Sequence, residues 1–432
     1  MNKRHLCMAV IGLGLWACDT AENIRPRNDN FFVKMYDGVR PGNQQGVDII
    51  ATADGGLLIA ATGDSLGTKE MLLIKTDKRG NEEWTYSAAN DLGTGVGTEA
   101  KSIVGLADGY LVGCTLNNNQ VSRSVLLKIS FDGLFLDSAL ITTDTLAGVF
   151  NNTLAKVTLG ASGILVSGQT DRPIIDINGN TIGGINGYVA LYDPVSLEPD
   201  PTLQNSITYF GLEGNDYVVG GYEVNDVVNS IGKDSTRYLI FGHSDLGTGG
   251  AARKNYYIGF KRDMSSTNEF VHEDVNETED QVAHHVTRFG DTFVVIGEIA
   301  QSGQQIFMVE WKFRANAVTG TSDWQSLLNG VVPTADNTAG IGVALQNENS
   351  YIIVGTMEFS EIHSEIYLAG VNANFRVESP WPQTFGTNTS TYRAGAVTVL
   401  ADGSIVVVGT ADLEGNSKVV VIKTGPNGEM TF

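Results

Sequence analysis

The chain has little cysteine, little cationic charge and few long apolar runs. Its 432 residues include 3 Cys and 10 Pro, and 28 Lys and Arg stand against 49 Asp and Glu, a formal net charge of −21. This balance argues against nucleic acid as a partner, because phosphate recognition needs an excess of Lys and Arg. After residue 17 no stretch is long and apolar enough for a transmembrane helix.

Glycine, in contrast, is abundant. The chain contains 51 Gly, well above the usual share of roughly 7%. Such a composition favours many tight turns over long helices. With 42% hydrophobic and 18% charged residues, the chain has the composition of a folded protein, not of a disordered or polytopic membrane protein.

The N-terminus predicts export and lipidation. Lys3 and Arg4 precede an apolar stretch from Leu6 to Ala17, which is too short to span a bilayer but typical of a secretory h-region. It ends in Leu15-Trp16-Ala17-Cys18, which resembles a lipobox, although Trp16 is large for that slot. We expect residues 1–17 to be a lipoprotein signal peptide and residues 18–30 a tether lipidated at Cys18. The alternative is an ordinary signal peptide with an incidental Cys.

The residues around the anchor refine this expectation. If Cys18 is acylated, Cys114 is left without a partner, so no intramolecular disulfide is expected. The acidic residues in Asp19-Thr20-Ala21-Glu22 resemble the surface-export signal of Bacteroidetes-type lipoproteins. In enterobacterial systems, Asp directly after the cysteine instead favours inner-membrane retention. We expect a lipid-anchored protein of the outer membrane, exposed at the cell surface.

The rest of the chain repeats one pattern. An apolar strand reaches an Asp-Gly turn, as at Asp402-Gly403, and a second strand returns and ends at a small residue. Successive copies are 52 to 74 residues apart and end at Ala61, Gly113, Gly168, Gly242, Gly297, Gly355 and Gly409. A third apolar run and a fourth strand follow, the latter clearest from Trp84 to Tyr86.

Four short strands per unit, joined by glycine turns, predict an all-β fold. We expect a seven-bladed β-propeller of four-stranded blades over residues 31–432. A β-solenoid is the alternative, but it normally has a shorter period. Because Glu429 to Phe432 is short for an outer strand, Phe31 to Tyr36 is expected to complete the last blade and close the propeller, which removes an exposed edge.

These units resemble the bacterial exported β-propeller repeat family. The resemblance is best in Phe385-Gly386, in Tyr392-Arg393 and from Ala401-Asp402-Gly403 to Gly409-Thr410, and it covers residues 31–432. It implies a fold and a compartment; it carries over no catalytic residue, since the family has no single activity. The fourth unit departs from the pattern, and its first strand is either Tyr217 to Val224 or Val224 to Ser230.

Loop length predicts which face binds. The first-to-second and third-to-fourth turns are short, whereas the other connections, which share the opposite face, are longer and variable; binding residues concentrate on such loops. We call this the long-loop face. Its acidic residues form the possible binding face: Asp171, Asp176, Asp245, Glu277, Glu279 and Asp280. The alternative is solvated acidic loops that keep an exported protein soluble.

Signals for chemistry are weak. His284 and His285 are adjacent on a strand, so their rings should point to opposite faces rather than share a metal. The segment Asp176 to Asn180 resembles a calcium loop loosely but lacks the terminal bidentate Glu. Trp311, Trp324 and Trp381 could stack on sugars, but Trp in blades more often packs between them. We expect no catalytic residue, metal or cofactor.

Two classes of function follow. The first is a non-enzymatic lipoprotein, a binding scaffold or accessory subunit of an outer-membrane protein complex of the nutrient-uptake or barrel-assembly type, with lipid as its only membrane attachment. The alternative is a propeller-type glycan lyase or hydrolase, or a glycan-binding protein. Carboxylates about 5 to 10 Å apart beside exposed aromatics would favour the enzyme. An aromatic-poor funnel and an apolar side patch would favour the scaffold.

Overall fold

The structure is a computed structural model. It describes residues 31–37, 42–65, 67–92, 96–118, 121–141, 150–175, 181–182, 184–200, 207–211, 214–228, 235–245, 253–271, 280–290, 292–299, 305–314, 317–321, 337–374, 376–377, 380–413 and 415–430. In these ranges a single short helix occurs, α1 (Ala89–Leu92). No helix of the described residues has the length and apolarity to cross a membrane.

Antiparallel sheets make up the rest. After strand β1 (Phe32–Tyr36), the first sheet contains β2 (Asn43–Ala51), β3 (Leu57–Ser65), β4 (Thr68–Thr76) and β5 (Glu82–Ser87). The second contains β6 (Gly97–Gly105), β7 (Tyr110–Asn118), β8 (Val121–Ile129) and β9 (Phe135–Ile141). The third contains β10 (Asn152–Leu159), β11 (Ile164–Thr170), β14 (Asn186–Tyr192) and β15 (Ile207–Phe210), with β12 (Ile174–Ile175) and β13 (Thr181–Ile182) paired in one connection.

Two further four-stranded sheets follow. The fourth contains β16 (Asp216–Val228), β17 (Ser235–Ser244), β18 (Lys254–Phe260) and β19 (Ser266–Val271). The fifth contains β20 (Gln281–Phe289), β21 (Thr292–Ile299), β22 (Gln305–Arg314) and β23 (Ala317–Thr321). Of the two alternatives for the first strand of the fourth unit, the structure supports the one that starts near Tyr217, extended to Val228.

The last strands form one eight-stranded sheet that divides into two units. The sixth unit contains β24 (Asn337–Asn347), β25 (Ser350–Ser360), β26 (His363–Asn372) and β27 (Gln383–Phe385); the seventh contains β28 (Thr391–Val399), β29 (Ile405–Leu413), β30 (Asn416–Thr424) and β1. A single parallel pair, Ser364 with Thr391, joins the two units. Each unit is therefore an antiparallel four-stranded sheet like the other five.

Strand β1 provides the outer strand of the seventh unit. Phe32 to Tyr36 pairs antiparallel with Lys423 to Val419 of β30. Tyr36 is buried, and its hydroxyl donates to the carbonyl oxygen of Gly80 in the first sheet at 2.8 Å. The N-terminal strand thus pairs with the C-terminal one, as the sequence predicts.

Buried apolar side chains lie between consecutive units. Strands such as β14 and β30 read as continuous apolar runs because both faces of each sheet are covered. One cluster joins Leu58 of the first sheet to Val112 of the second, and corresponding clusters follow along the chain. Another joins Ile59 of the first sheet to Val408 of the seventh unit. The fold is all-β and of the β-propeller type, as the repeat predicts.

Every unit has a β-bulge at the same place in its first strand. The pairing between first and second strands shifts by one residue at Val47, Lys101, Ala155, Val219, His284, Ile341 and Gly395. Bulges redirect side chains and sharpen the local twist. We define the inner surface as the surface lined by these seven first strands. Its backbone geometry is therefore similar in all units.

Candidate functional site on the inner surface and the long-loop face

A repeated hydroxyl links neighbouring units. In four units a threonine of the second strand accepts a hydrogen bond from the next unit's first strand, just before its bulge. This threonine directly follows Ala61, Gly355 or Gly409 in three of the units and follows Cys114 in the second unit. The four bonds run from Ala100 N to Thr62 Oγ1 (3.1 Å), Leu154 N to Thr115 Oγ1 (3.1 Å), Ala394 N to Thr356 Oγ1 (3.0 Å) and Gly46 N to Thr410 Oγ1 (3.2 Å). In the third, fourth and fifth units this position holds Gln169, His243 and Glu298. The Gly409-Thr410 signature is therefore structural.

Four of the seven residues that follow the bulges are polar or charged, and they are Asp48, Ser102, Lys156 and His285. Asp48 accepts from the backbone N of Ile103 and of Ile49, both at 2.9 Å. Ser102 donates to the carbonyl oxygen of Val157 at 3.4 Å. Burial raises the pKa of Asp48, while the charge of Lys156 and these hydrogen bonds act in the opposite direction. The carboxyl group is thus held by groups from two units.

Lys156 and His285 connect the third unit to the fifth. Lys156 Nζ lies 2.7 Å from His285 Nε2. Gly220 of the intervening fourth unit lies beside this contact. A Cβ there would lie 2.9 Å from Lys156 Cδ and 2.8 Å from Val286 Cγ1, so only glycine leaves room for the Lys156 side chain to reach His285. Burial, and secondarily the charge of Lys156, holds the pKa of His285 well below its usual range. The neutral ring accepts a hydrogen bond from the ammonium group, which makes this contact a polar crosslink.

A second polar group lies between the fourth and fifth units. The ring of His243 stacks on Tyr217 with centroids 4.9 Å apart. Burial, together with the charges of Arg253 and His284, lowers the pKa of His243 to about 4. His284 Nε2 lies 3.6 Å from Glu298 Oε2.

The adjacent histidines therefore have different partners. The ring of His284 contacts Glu298 and the ring of His285 contacts Lys156, and the strand register shifts between Ala283 and His285. In the described part of the chain, no group of three or more His, Cys, Asp or Glu side chains has a geometry that could hold a metal ion.

Three of the acidic residues expected to form the binding face have internal partners. Asp171 accepts from the backbone N and the Nδ2 of Asn151, each at 2.7 Å. Asp245 accepts from Asn215 Nδ2 at 2.6 Å. Each of these aspartates holds the residue that immediately precedes the first strand of its own unit.

Asp280 has a charged partner. It accepts from the backbone N and Nε of Arg253 at 2.8 Å and from Nη2 at 2.6 Å, and Arg253 lowers its pKa. This pair ties the fifth unit to the third strand of the fourth. Asp176, Glu277, Glu279 and Cys18 lie outside the described residues, as does the loop from 176 to 180.

Of the three tryptophans considered for sugar stacking, Trp381 is half-buried and packs against the core. It contacts the buried clusters of both the sixth and the seventh units. A Cβ on Gly370 or on Gly428 would collide with its ring. This is the packing role that the sequence favours for tryptophan in a blade. The side chains of Trp311 and Trp324 lie outside the description.

A polar cavity of about 380 Å³ opens on the long-loop face, where the first, second and seventh units meet. Its charged and amide lining consists of Lys69, Lys101, Arg393, Asp64, Glu99, Asn43, Gln44 and Gln45. Among the residues that the structure describes, no aromatic side chain lines it. Sequence reasoning missed this site because it looked to the long connections of the middle units, whereas β3 and β4, like β29 and β30, are joined by short hairpins.

An apolar edge lies on the second sheet. Four exposed side chains, Phe131, Leu134, Leu136 and Leu140, lie on the turn before β9 and on β9 itself, with exposed fractions of 47%, 66%, 48% and 40%. Beneath them, Trp84 Nε1 donates to the carbonyl oxygen of Phe131 at 3.0 Å. Strand β9 is the terminal strand of its sheet among the described strands.

Comparison with known proteins yields similarity to solved structures only. No family model and no curated protein matches the chain. A puromycin-hydrolyzing peptidase of Mycobacterium tuberculosis is 10% identical with a TM-score of 0.45, over 88% of this chain and 52% of that one. The AfRom2 CNH domain is 12% identical with a TM-score of 0.41, over 90% and 98%.

Prolyl oligopeptidase B of Galerina marginata, bound to a macrocyclization substrate, is 10% identical with a TM-score of 0.41, over 86% of this chain and 48% of that one. The chain thus spans about half the length of the two peptidases it resembles. At these identities and TM-scores, nothing known of the three proteins is carried over to this chain.

Proposed function

We propose that residues 31–432 close into a seven-bladed β-propeller. Three observations support closure at the junction of the first and seventh units: the cluster that contains Ile59 and Val408, the bond from Gly46 N to Thr410 Oγ1 at 3.2 Å, and the pairing of β1 with β30. The seven equivalent bulges support the same number of blades. A closed ring leaves no unit with an uncovered face.

We propose that the protein works by binding, as a lipid-anchored scaffold or accessory subunit of an outer-membrane protein complex. Support for the anchor comes from Leu15-Trp16-Ala17-Cys18 and the acidic residues after it. A rigid propeller held at a membrane offers several surfaces to partners without moving parts. Resemblance to exported propeller-repeat proteins supports the same compartment.

The observation that carries this proposal is the apolar edge on β9. Soluble proteins normally protect an edge strand with charges, because its open backbone groups can pair with another chain. On β9 the exposed side chains include the charged Asp137, but Leu136 and Leu140 expose apolar surface on the same strand, flanked by Phe131 and Leu134. Exposed apolar patches of this kind mark interaction sites. The occupant we propose is an extended apolar segment of a partner subunit that adds a strand beside β9.

The cavity on the long-loop face supports binding over glycan cleavage by stacking and acid catalysis. Its lining has no aromatic side chain, and its Glu99 accepts from Lys69 at 2.9 Å and from Lys101 at 3.1 Å. Asp171, Asp245 and Asp280 already have internal partners. We therefore place the protein contact on β9 rather than on the acidic loops.

The test is recovery of the complex from native membranes. After gentle solubilisation, the wild-type protein should co-purify with an outer-membrane partner. Replacing Leu136→Asp together with Leu140→Asp should abolish that association. The matched control Ile362→Asp changes a side chain that is 74% exposed on the sixth unit and should leave the association intact.

Three outcomes would contradict the proposal. They are recovery of the wild-type protein alone and monomeric, undiminished association of the double variant, and cleavage of a glycan by the purified protein at enzyme-like rates. Charge reversal at Glu277 and Glu279 separates the two faces, and Asp280 is kept because it pairs with Arg253. It should leave the complex intact if β9 makes the contact and weaken it if the acidic loops do.

A further inference from the structure

The cavity on the long-loop face has the size and polarity of a small-molecule site. Its volume of about 380 Å³ lies at the lower end of the roughly 300–1,000 Å³ typical of ligand pockets. Its walls come from three units: Asn43 and Asp64 from the first, Glu99 and Lys101 from the second, and Arg393 from the seventh. Because strands rather than long loops supply these residues, the site is preorganised.

The charge of the lining is opposite in sign to that of the molecule. Three cationic side chains and two carboxylates line the cavity, in a chain whose net charge is −21. Glu99 bridges two of the cations, since its oxygens accept from Lys69 and from Lys101. Binding both cations lowers the pKa of Glu99 and keeps it ionised.

Arg393 is the remaining cation. Its side chain is exposed in the cavity wall and makes no ion pair with a described residue. A guanidinium group has a planar fork of donors that matches a carboxylate, so a ligand carboxylate is its natural partner. Arg393 can therefore bind an anionic group of a ligand in this cavity.

The other polar side chains of the lining indicate that the same ligand carries hydroxyl groups. Asn43 and Gln45 carry both donors and acceptors, and Asp64 offers carboxylate oxygens. Neutral sugars are commonly held by stacking on aromatic rings, and this cavity has none. We propose that the cavity binds a small carboxylated, hydroxyl-rich molecule of the uronic-acid class, with Arg393 as the carboxylate anchor.

The test is calorimetric titration of the purified full chain with three probes. Glucuronate carries the carboxylate and the hydroxyls, glucose only hydroxyls, and acetate only the carboxylate. We expect glucuronate to bind, glucose not to bind, and acetate to bind at least about tenfold more weakly than glucuronate. Added salt should weaken glucuronate binding, because the anchor is ionic.

Variants then test the anchor. Arg393→Gln should weaken glucuronate binding at least about tenfold, as expected for loss of a charge-assisted pair. Arg376→Gln, at another exposed arginine in the turn after β26, should leave it unchanged. Lys101→Met provides a second cavity variant should Arg393→Gln unfold, and melting temperatures check both.

Three results would overturn the inference: no glucuronate binding, glucose or acetate binding as tightly as glucuronate, or equal effects of the two arginine variants. The site goes beyond the proposed docking role. The Leu136→Asp, Leu140→Asp protein should retain glucuronate affinity, so failure of either proposal leaves the other standing.

Discussion

At the residue scale, lack of space explains the glycine inside the second strand of the third, fourth and sixth units, whereas the sequence pattern predicts that the strand ends there. Gly168, Gly242 and Gly355 pair across the sheet with Tyr188, Tyr256 and Tyr367 of the third strand. A Cβ on any of the three glycines would collide with that tyrosine and with a carbonyl oxygen of the first strand. Packing of tyrosine over glycine fills the gap that the missing side chain leaves.

Gly355→Ala should therefore destabilise the protein. The new methyl group would meet the carbonyl oxygen of Ala339 and the hydroxyl of Tyr367, both fixed in the sheet. We expect a loss of about 1–3 kcal/mol in the free energy of unfolding, the usual cost of overpacking. Gly105→Ala is the matched control, because no atom lies within 4 Å of its added Cβ. Chemical denaturation of both variants measures the difference; equal stabilities would refute the packing argument.

His243 makes stability depend on pH. Its ring is 6% exposed, and burial is the main reason that its pKa is about 4 in the folded protein, against about 6.5 in an unfolded chain. Between these values the unfolded chain binds a proton that the folded protein does not. Stability is therefore fully present above pH 6.5 and falls as the pH drops towards 4.

Replacing His243→Gln should remove this contribution. Glutamine occupies the equivalent position in the third unit, where Gln169 Nε2 donates to the carbonyl oxygen of Val218 at 2.8 Å. The loss of unfolding free energy between pH 6.5 and pH 4 should shrink by roughly 3 kcal/mol relative to the wild type. His363→Gln is the control for removal of a histidine elsewhere. An unchanged pH profile in His243→Gln would exclude His243 as the source.

At the scale of the element, β1 connects two ends of the chain. Besides pairing with β30, it contacts the first sheet, where Lys34 Nζ donates to Asn81 Oδ1 at 2.7 Å and Tyr36 donates to Gly80. Phe32 packs against the cluster shared by the first sheet and the seventh unit. This short strand therefore stabilises both the edge of β30 and the contact between the two units.

A chain that begins at Asn43 should be less stable than one that begins at Phe31. It loses the burial of Phe32 and Tyr36, worth about 3–5 kcal/mol together, and leaves the edge of β30 open to aggregation. Thermal melting and light scattering of the two chains measure both effects. If they melt alike and both stay monomeric, β1 does not have the role assigned to it.

At the scale of the whole molecule, the proposed lipid anchor at Cys18 would determine where the protein works. Only Cys18 would carry lipid, since Cys114 is fully buried and burial raises the pKa of its thiol. A fixed tether would present the apolar edge and the cavity to partners and solutes at a membrane surface.

Cys18→Ser should release the protein from the membrane fraction. Loss of the acylated side chain removes the only attachment that the sequence predicts. Cys114→Ala changes the buried cysteine and should leave the protein membrane-bound. Mass spectrometry of the wild-type membrane form should find Cys18 as its lipidated first residue. An unmodified wild-type protein released into the medium would contradict the assignment.

Sequence patterns alone predicted the all-β class, the four-strand units and the pairing of the two ends. These features depend on local signals: apolar strands, Asp-Gly turns and glycines that recur at each second strand. Such signals are read from neighbouring residues and need no knowledge of distant ones. The seven equivalent bulges leave no local signal of that kind, because they appear only in the pairing between strands.

Only the tertiary structure decided which side chains meet. Lys156 and His285 are 129 residues apart in sequence, and Gly220 matters only because it lies between them. The cavity unites Lys101 of the second unit with Arg393 of the seventh, because the first sheet packs against both of those units. The acids chosen from loop length proved, where described, to bond to residues at strand starts. Packing of neighbouring units, which no local pattern encodes, selects the residues that face a ligand.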